Sequence, residues 1–217
     1  MSSQVKSKKR VAEHGEVFTN EREVNAMLDL VKQETERIDS RFLEPACGNG
    51  NFLIEILRRK LEVVKARYKK SQWEYEKNAL IAVMSCYGVD IMPDNVEECK
   101  TRLFNLFCAY YKQLFKKQIK QDYLEIVKFV FDKNILCGDA LSMKDNTGNP
   151  IVFAEWSFVK GSMVQRRDFM YEQLVVAEEE KNKQTILGDF VDKPIKTYPL
   201  THYLNLKESE TNDKWNT

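Results

Sequence analysis

The chain has 217 residues, with 34 Lys and Arg against 33 Asp and Glu, and is 43% hydrophobic. That length and balance suit one sizeable core and exclude two full domains or a strongly basic protein overall. A local basic patch, where nucleic-acid binding would show, stays open.

The cysteines (Cys47, Cys86, Cys99, Cys108, Cys137) form no close pair and stand beside only His14 and His202. They read as reduced thiols, with no metal site expected. No apolar run approaches the roughly 20 residues that span a bilayer, and the start has no secretory signal. A soluble, cytoplasmic chain without membrane contact is the expectation.

Residues 1–12 are polar and basic and read as a disordered arm, 13–206 as a single domain, and 207–217 as a disordered, solvated tail. Val24, Met27, Leu28 and Val31 have the i, i+3, i+4, i+7 spacing of an amphipathic helix, with Asn20 and Glu23 as its capping pair. A short apolar piece at Arg41 to Leu43 leads into a glycine loop. Leu53, Leu57 and Leu61, flanked by Ile56 and Val64, then make the stripe of a second helix.

"ALIAVMSCYGVD" (79–90) reads as a strand buried on both faces, and 95–131 as one long helical region. "KNILCGDA" (133–140) and "IVFAEWSFV" (151–159) read as two further buried strands. Strands alternating with helices imply an α/β sandwich, Rossmann-like, with a mostly parallel sheet flanked by helices. "TYPLTHYLNL" is the one further strand candidate. The sheet therefore reads as truncated, with an edge that a partner subunit or a second copy would cover.

Three signals fall at strand ends, where open α/β sheets bind ligands. Gly48 and Gly50 let the backbone turn sharply between a strand and a helix whose free N–H groups favour an anionic group. Asp90 ends the next strand, placed to accept from two ribose hydroxyls, with Ile91 and Met92 available to cover a base. Asp139 ends the third, placed for an exocyclic amino group of adenine. Together they describe a site for an adenosine-containing cofactor.

"FLEPACGNGNFL" resembles the D-P-A-C-G-S-G-x-F-L loop of S-adenosylmethionine-dependent DNA adenine-N6 methyltransferases, such as the modification subunits of type I restriction systems. "HGEVFTNEREVNAMLDLV", "YGVDIMPDNVEECKTRL" and "NILCGDAL" are similar to the family's other cofactor segments, so the likeness covers about residues 13 to 142. It implies a class I methyltransferase fold and S-adenosylmethionine as cofactor. By the same likeness, Phe18 and Thr19 contact the methionine end, and Glu44, Ala46, Gly48 and Gly50 line it. Asp90 holds the ribose and Ile91 packs on adenine. Asp139 takes the adenine amino group, with Ala140 beside it. Glu44 in place of Asp and Asn20 in place of Pro depart mildly from the pattern.

A larger departure concerns the acceptor. The family's N-P-P-Y or D-P-P-Y, just after the fourth strand, holds and stacks the flipped-out target base. The prolines here are Pro45, Pro93, Pro150, Pro194 and Pro199, none adjacent, so that motif is absent. Asn149 and Pro150 precede the fourth strand and read as a turn. "AEWSF" stands at the expected place, where Glu155, Trp156 and Ser157 are either an acceptor with a stacking surface or plain core.

A basic arm is formed by Lys6, Lys8, Lys9 and Arg10, and basic residues are interleaved with aromatics at Lys112, Lys116, Lys117 and Lys120 and at Lys160, Arg166, Arg167 and Phe169. They read either as DNA contacts or as solvated faces. Three functions fit: a DNA adenine methyltransferase of a restriction–modification system, acting alone or as a subunit; an inactive relative that binds nucleic acid or a partner; and a methyltransferase with another acceptor.

Overall fold

The computed structural model describes residues 6–14, 16–116, 118–173 and 193–211. In chain order it contains α1 (Lys8–His14), α2 (Glu21–Asp29), α3 (Lys32–Thr35), β1 (Phe42–Glu44), α4 (Asn51–Tyr68), α5 (Gln72–Met84) and β2 (Cys86–Asp90). There follow α6 (Pro93–Phe115), α7 (Gln121–Asn134), β3 (Ile135–Asp139), β4 (Lys144–Asp145), β5 (Val152–Lys160) and β6 (Met163–Met170). β7 (Lys196–Thr197), β8 (Thr201–His202), a 3-10 turn (Tyr203–Asn205) and α8 (Glu208–Thr211) complete it.

β1, β2 and β3 are parallel neighbours in that order, with Phe42 opposite Cys86 and Gly88 opposite Ile135. β4 joins β3 antiparallel, and β5 and β6 form an antiparallel hairpin in a second sheet, with β7 and β8 against β6. The fold is thus α/β, as expected, but its sheets are mixed rather than mostly parallel. The fourth strand turns back on itself at Gly161, whose φ of +56° suits a tight turn, instead of crossing over through a helix.

Local chemistry explains the helices. Asn20 caps α2, accepting from the Glu23 amide at 3.0 Å, and Val24 and Leu28 are buried. Met27 and Val31, expected on the same stripe, are exposed. In α4, Leu53, Leu57, Leu61 and Val64 are fully buried, as their spacing requires. Residues 79–84, expected in a strand, instead complete α5, which Ser71 caps by accepting from the Glu74 amide. A run that is apolar all round cannot be assigned by periodicity. The cap upstream and the Glu, Lys, Ala and Leu of "EYEKNALIAVM" decide for helix. The expected helix over 95–131 is broken after Phe115, where Lys116 has φ +27°.

The helices pack over one face of the parallel sheet, around fully buried Tyr75, Tyr111 and Tyr123. The buried Glu76 carboxylate joins three elements there. It accepts from Tyr111 Oη at 2.6 Å and Tyr203 Oη at 3.2 Å, and pairs with Lys120 Nζ at 2.7 Å. At the start of β1 and β2, fully buried Lys60 donates to Ser40 O and Ser85 Oγ, and burial pulls its pKa down. On the other face, Tyr87 and Val89 meet Ile151, Phe153 and Tyr171.

Both ends of the chain carry more structure than expected. The arm is helical from Lys8 to His14. In the supposed tail, Glu208–Thr211 is helical, Ser209 is buried, and Glu210 binds Arg166 at 2.6 Å and Lys133 at 2.7 Å. Residues 1–5 and 212–217 lie outside the described residues. Among the described residues no helix is long and apolar enough to cross a membrane, and no disulfide joins the cysteines.

Candidate functional site

Because β1, β2 and β3 run parallel, their carboxyl ends lie side by side, and a cavity of about 580 Å³ opens there. This is within the roughly 300–1,000 Å³ typical of small-molecule sites. Phe18, Thr19, Glu44, Ala46, Gly48, Asp90, Ile91, Asp139 and Ala140 all line it. Gly50 does not; it sits under the loop at the start of α4, against Cys99.

The glycine loop is held from below by Asp90. Its Oδ2 accepts from the Gly48 amide at 2.9 Å, while Oδ1 accepts from the Met92 amide at 2.9 Å and Asn95 Nδ2 at 3.2 Å. These bonds take three of the roughly four acceptor positions of a carboxylate. One of these positions, on Oδ2, remains open to a further donor. Gly48 has φ +51°, and a Cβ there would lie 3.0 Å from the Phe18 ring. The ring therefore closes directly on the loop.

α6 supplies a second set of holds that sequence reasoning missed. Arg102 Nη1 donates to Asn49 O at 2.7 Å and Asn51 Oδ1 at 2.9 Å, and Asn51 Nδ2 donates to Thr19 O at 2.8 Å. Asn49 Nδ2 donates to Glu98 Oε1 at 3.0 Å. Asp94, Glu98 and Arg102 recur every four residues, the helical signature of one face, and this was the available signal. Both asparagines of "GNGN" are thus tied to α6 and, through Thr19, to the segment that carries Phe18.

Burial pushes the Glu44 carboxyl up, opposed by the Ala46 amide. The Cys47 thiol is pushed far up by its hydrogen bond with Cys99 and by burial, which makes it an inert wall. Asp139 is held below the usual carboxylate value by the Ser142 side chain and the Leu141 amide, which donates to Oδ1 at 2.9 Å. Glu16, Glu44, Asp90 and Asp139 give the cavity four acidic groups, of which Glu16 is paired with Arg10, while Arg102 is turned into the loop. Such a field favours a ligand with a cationic centre. Among the described residues no cluster of His, Cys, Asp and Glu could hold a metal.

The amino-terminal basic residues serve the same wall. Lys6 pairs with Glu98 at 2.7 Å, and Arg10 with Asp94 and Glu16, both at 2.6 Å. The Arg10 hydrogen bond chiefly lowers the Asp94 pKa, from 3.8 to about 2. The folded value is depressed, so the stabilisation is present above 3.8 and lost as pH falls through about 2. Asp94 is half exposed, so the effect is modest and sensitive to salt. Amide exchange in residues 8–14 should accelerate across that window, and earlier at high salt. Protection unchanged throughout it would show that these pairs do not fasten α1.

The other basic stretches are largely committed to structure. Arg166 is buried, forks onto Asp168 at 2.7 and 2.8 Å, and stacks 4.1 Å from the Tyr198 ring. Arg167 pairs with Glu155 at 2.6 Å, and Phe169 is buried. The expected basic and aromatic surface at 160–169 is thus mostly interior. Lys8, Lys112, Lys116 and Lys160 are exposed, and Lys117 lies outside the described residues. "AEWSF" resolves as core: Trp156 is buried and donates to Asn134 Oδ1 at 3.0 Å, and Glu155 also pairs with Arg41 at 2.5 Å. Asn149 and Pro150 lie in the expected turn, in which the Asn149 amide donates to Asp145 Oδ1.

No protein-family model matches the chain, and no solved structure matches it. A curated protein of Methanocaldococcus jannaschii, named "Putative type II restriction enzyme and methyltransferase", is 31% identical over 132 residues. The match takes in 59% of this chain. It relates the chain to a restriction–modification methyltransferase. The chain spans only 10% of that relative's length, so the likeness concerns one part of a much larger polypeptide.

Proposed function

We propose that this chain binds S-adenosylmethionine in the strand-end cavity and is the cofactor-holding part of a DNA adenine-N6 methyltransferase. The observation that carries the reading is the convergence of the Gly48 loop, Asp90 and Asp139 at three adjacent parallel strand ends around one acid-lined cavity. When bound, the cofactor supplies an electrophilic methyl group on a cationic sulfur.

The residues present fit that molecule. The first amides of α4 suit the methionine carboxylate, and Glu44 suits its ammonium group. Phe18, Thr19 and Ala46 wall that end. Asp90 Oδ2 takes one ribose hydroxyl while its other bonds keep the loop in shape. Ile91 and the exposed Leu141 offer apolar cover to the base, and Asp139 accepts its amino hydrogens beside Ala140. Gly50 acts indirectly, by letting the loop pack on Cys99.

The M. jannaschii relative's name supports DNA as the target, and the exposed lysines are available to phosphates. A second reading, a cofactor-binding protein without catalysis of its own, is favoured by the burial of Trp156 and the ion pairs of Glu155. Calorimetric titration of the purified chain with S-adenosylmethionine tests the pocket, and label transfer to DNA tests catalysis. We expect one cofactor per chain and no transfer by the chain alone. Absence of binding would sink the reading, whereas transfer by the isolated chain would remove the non-catalytic alternative.

A further inference from the structure

We propose that Glu16 is a second ribose-binding carboxylate of the cavity, taking one of two vicinal hydroxyls through Oε2 while Asp90 takes the other. The inference rests on the functional reading above and assigns a specificity-determining residue to that same site.

Glu16 lines the cavity, and its side chain is only 8% exposed. Its two oxygens differ. Oε1 accepts from Arg10 Nη2 at 2.6 Å and from Asn95 Nδ2 at 2.7 Å. Oε2 is buried and has no hydrogen-bond partner among the described residues. A buried acceptor left without a donor is costly, so one that persists in a cavity wall marks a place where a bound molecule supplies the donor.

A purely structural pair would be arranged otherwise. An Arg and a carboxylate that serve only each other meet fork to fork, with both oxygens engaged. Here Arg10 gives its fork to Asp94, Nη1 to Oδ2 at 2.6 Å and Nη2 to Oδ1 at 3.1 Å. Glu16 shares one nitrogen of that guanidinium and keeps its second oxygen free.

The position of Glu16 identifies the donor. Asn95, 1% exposed, bridges two carboxylates, since its Nδ2 donates to Glu16 Oε1 and also to Asp90 Oδ1 at 3.2 Å. Glu16 and Asp90 therefore stand one amide group apart in the lining of the same cavity. Lys6 Nζ and Arg10 Nη2 donate to Asn95 Oδ1 at 2.8 and 3.3 Å, so two cations offset the repulsion of the two acids. Each acid keeps acceptor capacity on the oxygen that Asn95 does not touch, Oε2 in Glu16 and Oδ2 in Asp90. Two such acceptors match a vicinal diol, which offers O–H donors on adjacent carbons. Ribose presents that diol. A deoxyadenosine of target DNA lacks it, so the cavity separates the cofactor from the substrate although both carry adenine.

Calorimetric titration of wild type, Glu16→Gln and Glu16→Ala with S-adenosylmethionine and with its 2′-deoxy and 3′-deoxy analogues tests the assignment. Wild type should bind each analogue about tenfold or more weakly than the parent, the worth of one hydrogen bond to a charged group. Glu16→Ala should erase, and Glu16→Gln narrow, the preference for the parent over one analogue. The preference over the other, whose missing hydroxyl is held by Asp90, should persist. Glu16→Gln retains an oxygen for Arg10 and Asn95, so it carries the test if Glu16→Ala does not fold.

An equal loss of affinity for all three ligands would make Glu16 a brace of the wall and overturn the proposal. Unchanged affinities in the variants would overturn it too, as would a wild type that does not distinguish the parent from either analogue. In each of these cases wild type still binds S-adenosylmethionine, so the pocket stands and only the role of Glu16 is removed. A wild type that binds none of the three removes the functional reading and the proposal with it.

Discussion

Asp90→Ala should lower the affinity for S-adenosylmethionine by about 100-fold. A hydrogen bond to a charged group contributes about 1.5–3 kcal/mol, and each 1.4 kcal/mol is about tenfold in affinity. Removing the bond to ribose alone thus accounts for roughly one to two orders of magnitude. The substitution also frees the Gly48 and Met92 amides and Asn95 Nδ2, so the loop no longer holds its bound shape. Asp90→Asn separates the two contributions. Its remaining oxygen can still serve Met92 and Asn95, while its amide nitrogen cannot accept from Gly48. Calorimetry on both variants, with circular dichroism to confirm folding, should rank wild type far above Asn and Asn above Ala. Equal affinity in wild type and Asp90→Ala would remove Asp90 from the site.

Gly50→Ala should destabilise the fold by about 2–5 kcal/mol, from about 1–2 for a side chain in the left-handed region and about 1–3 for overpacking. Gly50 has φ +91°, and a Cβ built on it lies 2.6 Å from Cys99 Sγ, too short to stand unrelieved. Denaturant unfolding of Gly50→Ala, Cys99→Ala and the double variant measures this. The double variant should regain the packing part and keep the backbone part, so it falls between Gly50→Ala and wild type. Additive losses would show that the two residues do not meet. Gly48→Ala should behave differently. The group it meets is the Phe18 ring, at 3.0 Å, which turns more easily than a buried thiol, so cavity shape suffers more than stability.

How much of this was legible depended on whether the signal was local. The α4 stripe of Leu53, Leu57 and Leu61 and the Asn20 cap were readable because each depends on residues a turn or less apart. The strand-end positions of Asp90 and Asp139 were readable for the same reason: each closes a short apolar run next to a glycine or a helix cap. Residues 79–84 misled because an all-apolar run buried in α5 looks the same as a buried strand. The cluster at Arg166, Arg167 and Phe169 misled because charge in a sequence carries no sign of its partner. Asp168 is two residues away, but Glu210 and Tyr198 come from distant parts of the chain.

The sequence by itself determined the buried stripe of α4, the cap of α2, the glycine loop and the two strand-end aspartates, since these follow from short-range periodicity and backbone sterics. Only the tertiary structure decided that β5 folds into a hairpin, that Trp156 is core, and that Lys6, Arg10 and Arg102 brace the cavity wall. It alone showed that Asp90 already holds three donors and that, among the described residues, β1 ends its sheet. Those outcomes depend on which distant groups meet once the core closes. An ion pair or a strand edge is a relation between segments, and neither segment encodes it alone.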